Sequence, residues 1–299
     1  MRSIKVSIQI PTYNQEKLIV RALDSALSQT YKNIEVVIAD DCSDDSTETI
    51  VKKYADDRVK YFRNKKNLGR VGNYRNSLHN YCTGDWVVNL DGDDYFTDRH
   101  FISDAVASIL CDENVVLYMA QNSSIDTISK ITKTEIVDSK LLIDGLKFLE
   151  NYSNYPCFFH LACVYNRDIA LRKNFYDIDC LTSDFVSIMK LADKGNFVIS
   201  EKTVGKWDVS NNSASQSLNK EKNLKNIEGL NRLMEDLKFT SSYQERKIHE
   251  ELWYVNRYHL VSATASRKDF FSSLSAFIEL ADFRKKYYWK GLLGFLIKG

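Results

Sequence analysis

Apolar and polar residues alternate along Val6-Ser7-Ile8-Gln9-Ile10 until Pro11 ends the pattern, which predicts a strand running into a loop. The period then changes: Ile19, Ala22, Leu23, Ala26 and Leu27 recur at helical spacing, with Asn14 as a cap. Ile34 to Ala39 reads as a second strand, followed by a cap-rich loop from Asp40 to Thr47 and a helix to about Tyr54. A strand near Val59–Phe62, a loop over Asn64–Gly69, a helix over Val71–Tyr81 and a strand over Trp86–Leu90 follow. This alternation predicts an α/β fold, a mainly parallel sheet flanked by helices with right-handed crossovers. Ligands of such sheets bind outside the carboxyl ends of the strands. The clusters Pro11-Thr12-Tyr13-Asn14, Asp40-Asp41 and Asp91-Gly92-Asp93 all follow strands, so they are expected at one rim.

Further along, the pattern predicts a helix over Phe101–Leu110, a strand over Val115–Ala120 and an alternating stretch over Ser129–Val137. Ser139 caps a helix to about Asn151, and Pro156–Tyr165 reads as a strand carrying His160. A helix over Ser183–Lys194, a short strand at Phe197–Ile199 and a polar loop over Val204–Ser217 precede a stretch that is helical from Lys220 onward. The expected division is residues 1–100 for a first half, 101–215 for a second half of the same domain, and 216–299 for a C-terminal helical extension.

The most conspicuous chemistry sits at the tip of the fourth strand, where Trp86–Leu90 runs into Asp91-Gly92-Asp93-Asp94. Like charges this close repel, and burying them costs several kcal/mol unless a cation intervenes. Mg²⁺ or Mn²⁺ takes oxygen ligands and would supply that charge. A solvated turn is the alternative. Asp41 accepts hydrogen bonds only and suits a base with a ring N–H, such as uracil or guanine, unless it caps the next helix. Tyr13 either stacks on a base or packs. Arg75 either meets a phosphate or a strand-tip acid, or forms a surface salt bridge.

Composition narrows the classes. A net charge of +1 gives no field that favours nucleic acid. The six cysteines form no C-x-x-C pair, which disfavours zinc and thioredoxin-type chemistry and suggests reduced thiols. Neither a signal peptide nor an apolar run of the roughly 18 residues a membrane span needs is evident, so the expected location is cytoplasmic. Neither G-x-G-x-x-G nor a Walker-type loop occurs, against dinucleotide and P-loop readings.

Val6 through Asn14, the Ala39-Asp40-Asp41-Cys42-Ser43 turn, Asn67-x-Gly69 with Asn73-Tyr74, and Leu90-Asp91-Gly92-Asp93-Asp94 resemble, in order and spacing, the family 2 glycosyltransferases of the nucleotide-sugar-binding GT-A fold. The resemblance is strong over about the first 100 residues and weaker from Pro156 to Ser215. It implies that Pro11, Tyr13 and Asp41 hold the base, with Arg75 on the nucleotide, and that Asp91 and Asp93 form a D-x-D element for ribose and a diphosphate-bound Mn²⁺ or Mg²⁺. It also implies a catalytic base in a Glu-Asp pair on a later helix. Here that pair reads Ser183-Asp184, which leaves Asp184 as the base. Where the family often carries a histidine, this chain has Trp207-Asp208-Val209-Ser210. His160, Asp94 and Trp207 are further candidates for sugar contacts, His160 otherwise being a core histidine.

The implied activity is inverting, metal-dependent transfer of a hexosyl or N-acetylhexosaminyl group from a nucleotide-sugar. UDP is favoured by family habit, and the acceptor would be a glycan or lipid-linked oligosaccharide in bacterial O-antigen or capsule synthesis. A catalytically weakened nucleotide-sugar-binding module and a sugar-phosphate nucleotidyltransferase are the alternatives. Trp289, Leu292, Leu293 and Leu296 fall on one helical face of the basic, apolar stretch Arg284–Lys298. That face suits either the inner surface of an anionic membrane or docking on the domain or on a second subunit of a homodimer.

Overall fold

The computed structural model describes residues 3–124, 140–155, 160–208 and 220–263. The first half follows the predicted alternation: β1 (Val6–Thr12), α1 (Ile19–Leu27), β2 (Ile34–Asp40), α2 (Thr47–Val51), β3 (Val59–Arg63), α3 (Arg70–Asn80) and β4 (Trp86–Asn89). The second half comprises β5 (Tyr95–Phe96), α4 (Phe101–Leu110), β6 (Val115–Ser124), β7 (Lys140–Asp144), α5 (Gly145–Leu149), β8 (Cys163–Asn166), α6 (Arg167–Arg172), α7 (Ser183–Met189) and β9 (Asn196–Trp207). Helices α8 (Lys220–Asp236) and α9 (Ser242–Ala263) come last.

The strands form one sheet in the order β3-β2-β1-β4-β8-β6-β9-β5, with β7 added on β9. Strands β1 to β4 pair only in parallel with one another. Beyond β4 the sheet is mixed: β8 runs antiparallel to β4 and β6, while β9 lies parallel to β6 and antiparallel to β5 and β7.

Successive strand residues face opposite ways, so each strand feeds two cores. Val6, Ile8, Ile10, Val36, Ile38, Trp86 and Val88 meet α1 and α4 on one face. Val37, Val87, Leu117 and Met119 meet α3 and α7 on the other. Leu233 and Leu237 of α8 and Ile248 and Leu252 of α9 belong to that second core. The described cysteines are free thiols, and among the described residues no helix is long and apolar enough to cross a membrane.

Several elements differ from the pattern-based expectation: the helix expected over Ser183–Lys194 ends at Met189, and neither β5 nor α6 was foreseen. Asn14 does not cap α1; it adopts a left-handed backbone, and its side-chain oxygen accepts from the Asp44 N–H instead. Lys140–Asp144 is an edge strand rather than helix, because Leu141 and Ile143 alternate onto the core, and Asp144 rather than Ser139 caps the short helix that follows. His160 lies in a 3₁₀ turn ahead of β8 rather than within a strand. Val204–Trp207 continues β9, since β5 and β6 supply ladder partners up to Trp207. The alternating stretch Ser129–Val137 lies outside the described residues.

Candidate active site

Parallel register brings the strand ends to one rim: Thr12 stands beside Asp40, Asp40 beside Arg63, and Gln9 beside Asn89. The chain leaving β2 and β4 then clasps the tip of β1 from both sides. The Asp41 N–H donates to the Thr12 carbonyl at 2.9 Å, and the Gly92 N–H to the Pro11 carbonyl at 3.2 Å. A Cβ on residue 92 would lie 2.7 Å from Thr12 Oγ1, so only glycine lets the acid loop approach this closely.

Asp41 is buried and accepts from Asn64 Nδ2 at 2.8 Å, the Leu68 N–H at 2.8 Å and the Gly69 N–H at 2.9 Å. It therefore fastens the loop before α3 instead of capping α2. Gly69, at φ 77°, makes the left-handed turn into α3. Tyr13 is 47 % exposed at the same rim, free to offer a ring face.

Asp91 receives the Tyr74 hydroxyl at 2.9 and 2.8 Å on its two oxygens, and His160 Nε2 lies 3.3 Å away. The other ring nitrogen, Nδ1, is 3.4 Å from the carboxylate of Asp184, in the first turn of α7. The imidazole thus stands between the strand-tip acid and the acid of the later helix. Burial opposes charge on all three groups, but their mutual attraction prevails. Asp91 is lowered, Asp184 is held down at about 2 and His160 is raised well above its ordinary value. Arg70 helps to keep both acids ionised. Its guanidinium lies 5.6 Å from the Tyr74 ring centre and donates to the carbonyls of Cys180 (3.1 Å) and Leu181 (2.9 Å) just before α7.

Asp93 and Asp94 behave oppositely. Burial and then the Asp91 charge raise Asp93 to about 6; burial, Asp91 and Asp93 raise Asp94 to about 8. This part of the loop is short of positive charge. Among the described residues, Asp91, Asp94 and His160 offer donor atoms that all lie within 4.8 Å of one another. Two carboxylates and an imidazole suit a divalent cation, whose charge would relieve the repulsion. Sequence reasoning paired Asp91 with Asp93; the turn at Gly92 brings Asp94 into that cluster instead.

Arg75 is not part of this constellation. It donates to the Phe175 carbonyl at 3.1 Å and to Asn174 Oδ1 at 2.6 Å, and the guanidinium beside the acids is that of Arg70, five residues earlier. Trp207 ends β9, packed against the core under α1, and Asp208 follows it at the rim. The Asp208 N–H donates to Asp94 at 3.0 Å. Its carboxylate accepts from Arg21 at 2.6 Å, and Arg21 also donates to the Asp93 carbonyl at 2.5 Å. Arg21, Arg70, Tyr74 and Asp208 were given no site role from sequence, although Tyr74 stands in the Asn73-Tyr74 motif and Asp208 in the Trp207–Ser210 stretch. Arg70 and Tyr74 carried a signal, being four residues apart on the helix after the Asn67-x-Gly69 loop.

The chain belongs to glycosyl transferase family 2, whose model matches residues 7–172, from β1 through α6. Among curated proteins it is 41 % identical over 93 residues to the putative glycosyltransferase EpsE of Bacillus subtilis, covering 30 % of this chain and 33 % of that one. It is 43 % identical over 91 residues to the Escherichia coli UDP-Glc:α-D-GlcNAc-diphosphoundecaprenol β-1,3-glucosyltransferase WfaP, covering 30 % of this chain and 36 % of that one. These alignments thus span about a third of the relatives' length. The Staphylococcus aureus TarS 1-349 structure in complex with UDP-GlcNAc superposes with a TM-score of 0.71 at 17 % identity, over 93 % of this chain and 80 % of that one. The Pyrobaculum calidifontis mannosyltransferase PcManGT, in complex with GDP-Man and Mn²⁺, superposes with a TM-score of 0.60 at 17 % identity, over 99 % of this chain and 86 % of that one. At such identities the structural likeness is one of fold.

Proposed function

We propose that the protein transfers a hexosyl or N-acetylhexosaminyl group from a UDP-sugar to a hydroxyl of a glycan or lipid-linked acceptor, with inversion, in bacterial surface polysaccharide synthesis. The observation that carries this reading is the convergence of Asp41, the Asp91–Asp94 loop, His160 and Asp184, from four separate stretches, at one rim of the sheet. The matched relative named as a UDP-Glc transferase acting on a diphosphoundecaprenol-linked sugar supports the donor and acceptor classes.

In this reading Pro11, Tyr13 and Asp41 hold the base. The reaction breaks the bond between the anomeric carbon and a diphosphate oxygen, and the leaving diphosphate takes the electron pair. Asp184 accepts the proton of the acceptor hydroxyl as its oxygen bonds to the opposite face of the sugar, which inverts the anomeric centre. Arg70 offers positive charge where the diphosphate gains negative charge. Asp91 and Asp94 would hold a divalent ion, Mn²⁺ or Mg²⁺, which supplies electrostatic stabilisation to the leaving diphosphate when bound.

The decisive experiment is Asp184→Asn with UDP-sugar donors. At saturating Mn²⁺, donor affinity should persist while transfer falls about 10²–10⁴-fold, the usual worth of a general base. Wild-type turnover in the variant refutes the assignment. Tight donor binding by wild type with no turnover across acceptors supports a binding module instead. The basic, apolar stretch Arg284–Lys298 lies outside the described residues; we propose it as the contact with an anionic membrane surface, which liposome flotation with and without residues 287–299 would test.

A further inference from the structure

We propose that His160 is the nitrogen ligand of the site's divalent ion, completing a set with Asp91 and Asp94, and that Asp184 is the outer carboxylate orienting its ring. The inference rests on the metal-dependent reading above and deepens it. Ser210, at the place where the family often has a histidine, has no imidazole to offer. His160 arrives instead from the 3₁₀ turn before β8, with a carboxylate facing each of its ring nitrogens.

Three features of the ring support this role. It is 8 % exposed, and its placement keeps Nε2 on the Asp91 side. Tyr74 packs edge-on against it at 5.6 Å between centres, which restricts rotation. The remaining nitrogen, Nδ1, is buried, makes no hydrogen bond of normal geometry, and faces Asp184 at 3.4 Å. A metal-bound histidine typically gives its second N–H to a carboxylate, which fixes the ring's orientation. With the ion bound, a neutral His160 would offer Nε2 to it and its Nδ1 N–H to the Asp184 carboxylate. An imidazole in the set also biases the site toward Mn²⁺ over Mg²⁺, which prefers all-oxygen surroundings.

The test is spectroscopic and independent of turnover. Mn²⁺ is added to the full chain with UDP, bound ion is counted by loss of the free-ion EPR signal, and pulsed EPR reads nitrogen coupling. Wild type should show a directly bound ¹⁴N that disappears in His160→Gln, with weaker Mn²⁺ binding. Asp184→Asn should keep the nitrogen coupling while Mn²⁺ affinity falls about 10–100-fold, the usual effect of losing an outer-shell partner. Bound Mn²⁺ without ¹⁴N coupling in wild type, or coupling that survives in His160→Gln, overturns the proposal and leaves the transferase reading standing. Failure of wild type to bind Mn²⁺ at all overturns the proposal as well. If UDP-sugar also fails to bind, the transferase reading falls with it. Should His160→Gln not fold, the wild-type spectrum and Asp184→Asn still decide.

Discussion

Arg21 of α1 and Asp208, just past the end of β9, are 187 positions apart in the chain and 2.6 Å apart in space. Arg21 also holds the Asp93 carbonyl and lies 4.4 Å from the centre of the Tyr95 ring, while the Asp208 N–H holds Asp94. One guanidinium therefore fixes the acid loop and the end of the last strand relative to each other. The pair is partly exposed, so its worth to global stability is small, about 1 kcal/mol or less. Its worth to geometry is greater, since an ångström of misplacement at a reacting site costs about 10²-fold in rate. Arg21→Met should lower kcat about 10²-fold while moving the urea midpoint little, with Arg21→Lys recovering part of the loss. A collapse in stability without a change in kcat per folded molecule would remove Arg21 from the site's design.

A second prediction concerns Lys190, whose side chain is fully buried between Asp177, 2.7 Å away, and Asp236 at the C-terminal end of α8, 2.8 Å away. The helix end adds negative potential to the two carboxylates. Removing one partner of a buried ion pair costs about 3–5 kcal/mol, and the half-exposed Arg232, 3.9 Å from Asp177 and 3.8 Å from Asp236, offsets only part of it. Lys190→Ala should lose that much in urea unfolding and loosen α8 from the domain. A loss below about 1 kcal/mol would mean that the cluster is solvated in solution.

Glu35 gives the pH dependence of the fold. Burial alone would raise its pKa, but the hydrogen bonds from Lys5 (2.6 Å), Ser7 (2.5 Å) and Thr83 outweigh burial and lower it. A depressed folded value means that the carboxylate contributes stability above the unfolded pKa, and that this contribution fades as pH falls through the folded value. Wild type should exceed Glu35→Gln by about 1–3 kcal/mol at pH 7, and the gap should close below about pH 4. Denaturant melts from pH 7 to pH 3 measure it. A gap that stays constant across that range contradicts the ionised network.

What could be read from the sequence tracks how local the determinant is. The first four strands were legible because Val6, Ile8 and Ile10, or Val36 and Ile38, announce their period within a few residues and parallel pairing follows from alternation with helices. The acid cluster was legible as chemistry, and Asp184 only through the family resemblance. Their partners were not: which arginine of α3 faces the site depends on where that helix starts. Arg70 opens it beside the acids, and Arg75, five residues on, turns instead to Asn174 and Phe175 just after α6. Likewise, choosing Asp94 over Asp93 depends on the backbone path through Gly92. β7 and the end of β9 pair with strands far along the chain, so their own residues carried only part of the instruction.

Asp41 yields the last prediction. A carboxylate offers four lone-pair positions, and three are engaged by Asn64, Leu68 and Gly69. The fourth is where the proposed function seats a ring N–H of the base. On that proposal Asp41 has two duties, and Asp41→Asn separates them. The amide presents a donor where the backbone N–H of Leu68 or Gly69 expects an acceptor, so the unliganded protein should lose about 1–3 kcal/mol. UDP affinity should fall as well, by more than that loss of stability lowers the folded fraction, because the base meets a misaligned or reversed partner. Thermal melts with and without UDP distinguish the two effects. A variant with an unchanged melting temperature and weaker UDP binding would show that Asp41 serves the base alone. A lower melting temperature with full UDP affinity would assign it to the loop.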